Sequence, residues 1–308
     1  MHPASRAGGD SGPPYASLDD VWTNFDATFG CVGGLIHYAP ISSAYVEHAI
    51  STYSADGIQL LELRHVLMGN IGLPYNLDGT LISSDELIAT YQRLSDEAVA
   101  AAALLPSGTP GSLFSGVRVI ISGLRMVPEE VVASALVEAT RLYETYPDIV
   151  AGFDLVGQED KGKPLTDWVN VLADQPLPLF LHAGESKIIG GEADMNVLDA
   201  VLLGVSRIGH GYSLGHHAAL RAEVKRRGIG IEVCPLSNQV LMLVEDLRNH
   251  PMQTFIAEGL PVTISPDDPA PWGAHGVSYD WAAAFLSFDS RAGLATLKQL
   301  ALNSLVRL

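Results

Sequence analysis

Short apolar runs alternate along the chain with longer stretches whose apolar residues recur every three or four positions. The runs are Ile58–Arg64, Val117–Ser122, Ile149–Val156, Pro178–His182, Ser206–His210, Gly230–Cys234 and Pro261–Ser265. Their length and β-branched content predict buried strands. The spacing predicts helices over Ser83–Leu105 and Pro128–Tyr146. In the second, Val132, Leu136, Ala139, Leu142, Tyr143 and Tyr146 make one stripe, and Pro128 suits a first helical position. Leu165–Ala173, Asn196–Leu203, His217–Arg227, Gln239–His250, Met252–Glu258, Ser278–Leu286 and Ala292–Leu302 continue the helical series, with Gly228 stopping the third of these. Upstream, Ser17 caps a helix carrying Val21, Trp22, Phe25 and Phe29 at helical spacing, and Tyr45–Tyr53 is a second short helix.

Seven strands, each followed by helical sequence, imply a parallel sheet, because parallel neighbours need a crossover connection. A doubly wound sheet would announce itself with an early Gly-rich phosphate loop, and none is present. The expected fold class is therefore α/β, a (β/α)8 TIM-type barrel, one strand short of eight. Residues 1–17 are Gly, Ser, Pro and Ala with little to bury and are expected to be disordered. Residues 18–308 read as a single barrel domain, since no linker or internal repeat divides them.

Composition narrows the partners. The formal net charge of −17 disfavours polyanions, whether nucleic acid or anionic membrane, and leaves a small neutral or cationic substrate open. Two cysteines, Cys31 and Cys234, give neither a disulfide framework nor a zinc ribbon, and Cys234 reads as a core residue. The longest apolar run, Ala98–Leu105, is too short to span a bilayer. The N-terminus has no apolar signal-peptide core, and the compartment stays open.

The chemistry sits at the strand ends. Pro178-Leu-Phe-Leu-His-Ala-Gly-Glu185 closes on a histidine and a glutamate. Gly209-His210-Gly211, Glu232-Val-Cys-Pro235 and Asp267-Asp268-Pro269 close three later runs. In a barrel of parallel strands the C-terminal ends share one mouth, so His182, Glu185, His210 and Asp267 would converge. An imidazole and a carboxylate can hold zinc, which makes a bound water acidic. A second histidine can take that water's proton, and a glutamic acid can protonate a ring nitrogen. Taken singly, Asp267-Asp268-Pro269 also suits a capping turn and Gly209-His210-Gly211 a tight turn around a packed histidine.

Phe153-Asp-Leu-Val-Gly-Gln-Glu-Asp160, His182-Ala-Gly-Glu185, Arg207-Ile-Gly-His-Gly211, Ile231-Glu-Val-Cys-Pro-Leu-Ser-Asn-Gln239 and Ile264-Ser-Pro-Asp-Asp-Pro269 together resemble the adenosine deaminase family. The stretch Val240–Pro251 and Tyr279-Asp280 fit its growth-factor-related branch, and the resemblance runs from about residue 20 to the C-terminus. It implies a zinc-dependent (β/α)8 barrel converting adenosine and 2′-deoxyadenosine to inosine and 2′-deoxyinosine with release of ammonia. By resemblance His182 and Asp267 match zinc ligands, and Glu185 matches the proton donor to purine N1. His210 matches the base that orients and deprotonates the water. Asp268 matches the partner of N7 and Gly157 the backbone partner of N3. Trp22 and Glu159 fall where the branch contacts substrate.

The family's first strand ends in a His-x-His pair of further zinc ligands, and the ten histidines here include no such pair. This reading expects the first strand, the branch's dimerisation extension and the final helix to be missing from the chain. Pro266 also replaces a small polar residue. The alternative is a catalytically inactive relative that binds a nucleoside or a protein.

Overall fold

The computed structural model describes residues 15–288 and 293–306. The tail expected to be disordered lies outside the described residues as far as residue 14, as does Ala292. In chain order the elements are α1 (Leu18–Ile36), α2 (Ala39–Ala55), β1 (Leu60–Val66), α3 (Ser84–Ala102), β2 (Gly116–Leu124), α4 (Glu129–Thr145), β3 (Val150–Val156), α5 (Val169–Leu172) and β4 (His182–Ala183). There follow α6 (Glu192–Leu203), β5 (Arg207–His210), α7 (Ala218–Arg227), β6 (Gly230–Val233), α8 (Pro235–Val240), α9 (Met252–Glu258), β7 (Val262–Ile264), α10 (Ser278–Ser287) and α11 (Leu294–Val306). All seven expected strands form, and every strand pair is parallel. No helix among the described residues is long and apolar enough to cross a membrane.

The chain forms two compact units. One comprises Gly30–Gly157 and Trp168–Phe180. Its sheet has the order β1-β2-β3, with Leu61 opposite Val117 and Ile121 opposite Phe153. Val119, Ile120, Ile121, Val150, Phe153 and Leu155 are wholly buried, which is why these strands read as continuous apolar runs rather than alternating ones. Helices α3 and α4 cover the sheet with Leu87, Ile88, Tyr91 and Leu94, and with Val132, Leu136, Ala139 and Leu142. A capping box starts α3: Glu86 N–H donates to Ser83 Oγ at 3.2 Å and Ser83 N–H to Glu86 Oε2 at 2.8 Å. Such a cap contributes about 1 kcal/mol. Phe153 N–H donates to Pro178 O and Phe180 N–H to Phe153 O, each at 2.9 Å, so the Pro178 run pairs as a strand although its assigned span is short. Gly152 permits this approach, because a Cβ there would lie 2.2 Å from Pro178 O.

The other unit comprises the chain up to Phe29, Gln158–Asp167 and Leu181 onward. Its sheet has the order β4-β5-β6-β7. Gly209 N–H donates to Leu181 O at 2.9 Å, continuing the pairing upstream of β4. Val21, Trp22 and Phe25 of α1 pack with Val240, Leu241, Leu243, Trp272 and Ala274 in one apolar cluster.

Two helices differ from expectation. The helix expected over Gln239–His250 does not form; α8 ends at Val240 and only a single turn, Leu247–Asn249, follows. The carbonyl of Asn238 receives both Leu243 and Val244 N–H, at 2.9 and 3.3 Å, which turns the chain out of the helix at Met242. The apolar residues there answer to the α1 cluster rather than to a helical face. Helix α1 runs on past Phe29 to Ile36 despite three glycines, whose low helix propensity suggests an earlier stop.

Candidate active site

The C-terminal ends of β4, β5, β6 and β7 each deliver a polar side chain. His182 ends the apolar run into β4, and a turn carries the chain to Glu185. Gly184 makes the turn with φ +73°, and a Cβ there would meet Ser213 Oγ at 2.3 Å and Val197 Cγ1 at 2.5 Å. The buried carboxylate of Glu159 holds the same turn from outside the strand. It accepts the N–H groups of Gly184 at 3.0 Å and Glu185 at 2.9 Å, and the Asn196 amide at 2.6 Å.

His210 closes β5 with φ +60°, and Asp267, beyond β7, has φ +56°. Left-handed backbone costs a non-glycine residue roughly 1–2 kcal/mol, and His and Asp are among the types that tolerate it. Strain of this kind gathers at functional sites. Here it accompanies the convergence of both side chains. His210 Nε2 lies 3.5 Å from Glu185 Oε1 and 3.8 Å from Asp267 Oδ2. The His182 and His210 rings are 4.8 Å apart between centroids. Gly209 leaves the space this requires, since a Cβ there would sit 3.1 Å from His182 Nδ1.

Among the described residues two overlapping sets bring potential ligand atoms within 4.8 Å of one another: His182, Glu185 and His210, and His210, Cys234 and Asp267. Two imidazoles, two carboxylates and a thiol form a donor set suited to a borderline-soft divalent ion such as zinc. Burial works to raise the Asp267 carboxyl. The neighbouring His210, the Ser237 hydroxyl, His182 and Asp268 nevertheless hold it below the usual carboxylate range. It is thus kept ionised, as a ligand must be.

Four of the expected site residues, His182, Glu185, His210 and Asp267, come together, with half-buried Asp268 beside Asp267. Glu159 is placed against the backbone of Gly184 and Glu185. Trp22 packs in the apolar cluster with Phe25 and Trp272. Gly157 follows β3 in the unit containing Gly30–Gly157, with φ +107°. Sequence reasoning missed Asn238 and His250 and took Cys234 for core alone. Asn238 Nδ2 lies 3.2 Å from His210 Nδ1, and His250 Nε2 lies 2.9 Å from Asn238 Oδ1. The available signal for Asn238 was a polar residue in a mostly buried stretch, whereas His250 follows an exposed one. Below the site, the buried Arg207 Nε and Glu232 Oε1 pair at 2.6 Å between β5 and β6.

Likeness to known proteins gives the family and the fold. The family model for adenosine deaminase matches residues 54–306. The chain is 41% identical to adenosine deaminase 2 of Homo sapiens over 298 residues, covering 94% of this chain and 56% of that protein. It therefore spans little more than half the length of the curated relatives it matches. Arabidopsis ADAL complexed with GMP matches with a TM-score of 0.70 at 18% identity, over 95% of this chain and 78% of that one. A cog1816 amidohydrolase from Burkhoderia ambifaria, with bound Zn, matches with a TM-score of 0.64 at 24% identity, over 87% of this chain and 67% of that one. These likenesses give the fold as α/β of the TIM-barrel type. On the family model and the relatives together, the chain belongs to the adenosine deaminase family.

Proposed function

We propose that this chain carries the site for zinc-dependent hydrolytic deamination of adenosine and 2′-deoxyadenosine. The observation that supports this best is the placement of His210 Nε2 3.5 Å from Glu185 Oε1 and 3.8 Å from Asp267 Oδ2, beside His182. In the reaction a C6–O bond forms, the C6–N bond breaks, and ammonia leaves. His182 and Asp267 would hold the zinc. When bound, that ion supplies Lewis acidity that brings the pKa of a water towards about 7.

The chain's own groups do the rest. His210 positions the attacking water and handles its proton. Glu185 gives a proton to purine N1, which makes C6 a better electrophile. Asp268 is the partner of N7. Glu159 fixes the turn that carries Glu185. Its carboxylate is occupied by three N–H donors, which favours a holding role over the direct substrate contact expected from sequence. Trp22 contributes an apolar wall through its cluster.

The test follows the absorbance change from adenosine to inosine, with zinc content measured on the same samples. It compares this chain with a version extended upstream to include a His-x-His strand. Turnover in a zinc-loaded sample of either supports the reading. Stoichiometric zinc without turnover in both overturns it in favour of a non-catalytic nucleoside-binding relative.

A further inference from the structure

The chemistry above does not use Asp160 or Ser186, yet both sit at the turn that carries Glu185. Ser186 follows Glu185 directly and is wholly buried. It is the last buried residue before four exposed ones, Lys187–Gly190. Its hydroxyl donates to Asp160 Oδ1 at 2.6 Å and accepts the Ile188 N–H at 3.0 Å. A serine can do both at once, since its hydroxyl carries one proton and two lone pairs. The bond to a carboxylate is charge-assisted, and such bonds are shorter and stronger than neutral ones. On the other side of Glu185, Glu159 accepts the N–H groups of Gly184 and Glu185. Two consecutive acids therefore hold one turn at its entry and at its exit.

The position of Asp160 has a cost that a surface acid would not bear. Burial raises its carboxyl, the Ser186 hydrogen bond works against that rise, and the adjacent Glu159 adds to it. An acid whose ionised form is opposed by burial and by a like charge needs a compensating partner, and the Ser186 hydroxyl supplies it. The loop bearing Asp160 is itself anchored. Gly162 N–H donates to Gln158 O at 2.9 Å, which closes residues 158–162 into a turn. Gln158 Nε2 donates to Asp19 Oδ1 at 3.2 Å and Lys161 Nζ pairs with Asp19 Oδ2 at 2.9 Å, in the first turn of α1. Asp160 thus reaches Ser186 from a fixed point. Beyond Ser186 the chain comes to the surface, with Ile188 46% and Ile189 69% exposed, before Gly190 N–H donates to Asp194 Oδ2 at 2.7 Å.

We infer that Asp160, acting through the Ser186 hydroxyl, is a positioning residue that holds the Glu185 turn closed against the exposed segment following it. This inference rests on the proposed role of Glu185 as proton donor and deepens it. Glu159 fixes the start of the turn, and Asp160 with Ser186 fixes its end, so the Glu185 main chain cannot follow the movements of Lys187–Gly190. A reacting group misplaced by about 1 Å can lose on the order of a hundredfold in rate.

The test measures amide hydrogen exchange at Gly184 and Glu185 by NMR in the whole chain supplied with zinc, beside steady-state kinetics with adenosine. Asp160→Ala is compared with Asp160→Asn, which keeps an oxygen acceptor, and with Ser186→Ala, a milder change should Asp160→Ala fail to fold. In Asp160→Ala the two amides are expected to exchange roughly tenfold faster or more, while amides of β5 and β6 keep their rates. The kinetic expectation is a kcat lower by roughly ten- to a hundredfold with KM changed only a few-fold. Ser186→Ala should reproduce both effects, the double variant Asp160→Ala/Ser186→Ala should be no worse than Ser186→Ala, and Asp160→Asn should recover most of the loss. Unchanged exchange at Gly184 and Glu185 in Ser186→Ala and in folded Asp160→Ala overturns the inference whatever the kinetics show. A rise in KM with kcat unchanged also overturns it, because a displaced proton donor acts on kcat. Faster exchange in variants of a chain that turns over no adenosine supports the clamp while counting against the deaminase reading, so the two fail separately.

Discussion

Glu159 accepts the backbone N–H of Glu185 at 2.9 Å, so one carboxylate holds another residue's main chain, and that residue's own carboxylate lies 3.5 Å from His210 Nε2. Removing the anchor orphans two buried N–H groups, of Gly184 and Glu185. Each orphaned buried donor costs about 1–3 kcal/mol. Glu159→Ala is expected to lower the unfolding free energy by a few kcal/mol and to reduce deamination more than it changes zinc content. Denaturant melts with zinc analysis of the same protein check this. Glu159→Gln, which keeps an acceptor, should recover part of both losses.

Gly184 is the hinge of the same turn. Its φ of +73° and the 2.3 Å and 2.5 Å approaches to Ser213 and Val197 leave no room for a methyl group. Overpacking costs about 1–3 kcal/mol and left-handed backbone roughly 1–2 more. Gly184→Ala should therefore destabilise the protein by about 2–5 kcal/mol and displace Glu185 from His210. A melt and an activity measurement on the folded fraction separate the two effects.

The donor set predicts how metal is lost. His182→Ala and Asp267→Ala should each lower zinc stoichiometry measured by plasma emission, while far-ultraviolet circular dichroism stays unchanged. Cys234→Ser tests the second set of donors that shares His210. If Cys234 takes part in holding the ion, that variant loses zinc too. Chelation of the unaltered chain should abolish turnover, and added zinc should restore it.

His65, in the unit containing Gly30–Gly157, gives a pH signature of its own. Burial lowers its pKa from 6.5 to about 4, against a partly opposing hydrogen bond to the Gly72 carbonyl. Its ring bridges Tyr91 Oη and Gly72 O, each at 2.9 Å. Its folded pKa lies below the unfolded one, so on acidification the unfolded chain takes up the proton first. The stability is present above about pH 6.5 and is lost as pH falls towards 4, by at most about 3 kcal/mol. His250, lowered to about 3, adds a loss of the same sign reaching further into acid. Unfolding free energy measured against pH should fall through this window, and His65→Gln should flatten the slope.

Much of this was legible in the sequence for a physical reason. Parallel strands covered on both faces must be apolar throughout, so β1 to β3 and their successors stand out as runs. The polar residue that ends a run has no packing role to explain it, and His182, His210 and Asp267 were found that way. Glu185 followed from its distance to His182. The helix expected over Gln239–His250 failed because its apolar residues serve Trp22 and Phe25, far away in the chain. Local spacing does not carry that information. Asn238 and His250 were opaque for a related reason. Their partners are an imidazole and a side-chain amide, and neither leaves a pattern in the residue types along the chain.

The order β4-β5-β6-β7 is also the order of the chain, and each of the first two strands hands its end residue to a neighbour in space that is a neighbour in sequence as well. His182, Glu185, His210, Cys234 and Asp267 therefore travel on one uninterrupted stretch, together with the Asn238 and His250 that stand behind them. Such a stretch is inheritable as a cassette. Its contacts close within the stretch except at the Glu185 turn, which Glu159 holds from upstream, so Glu159 must change in step with any change in that turn.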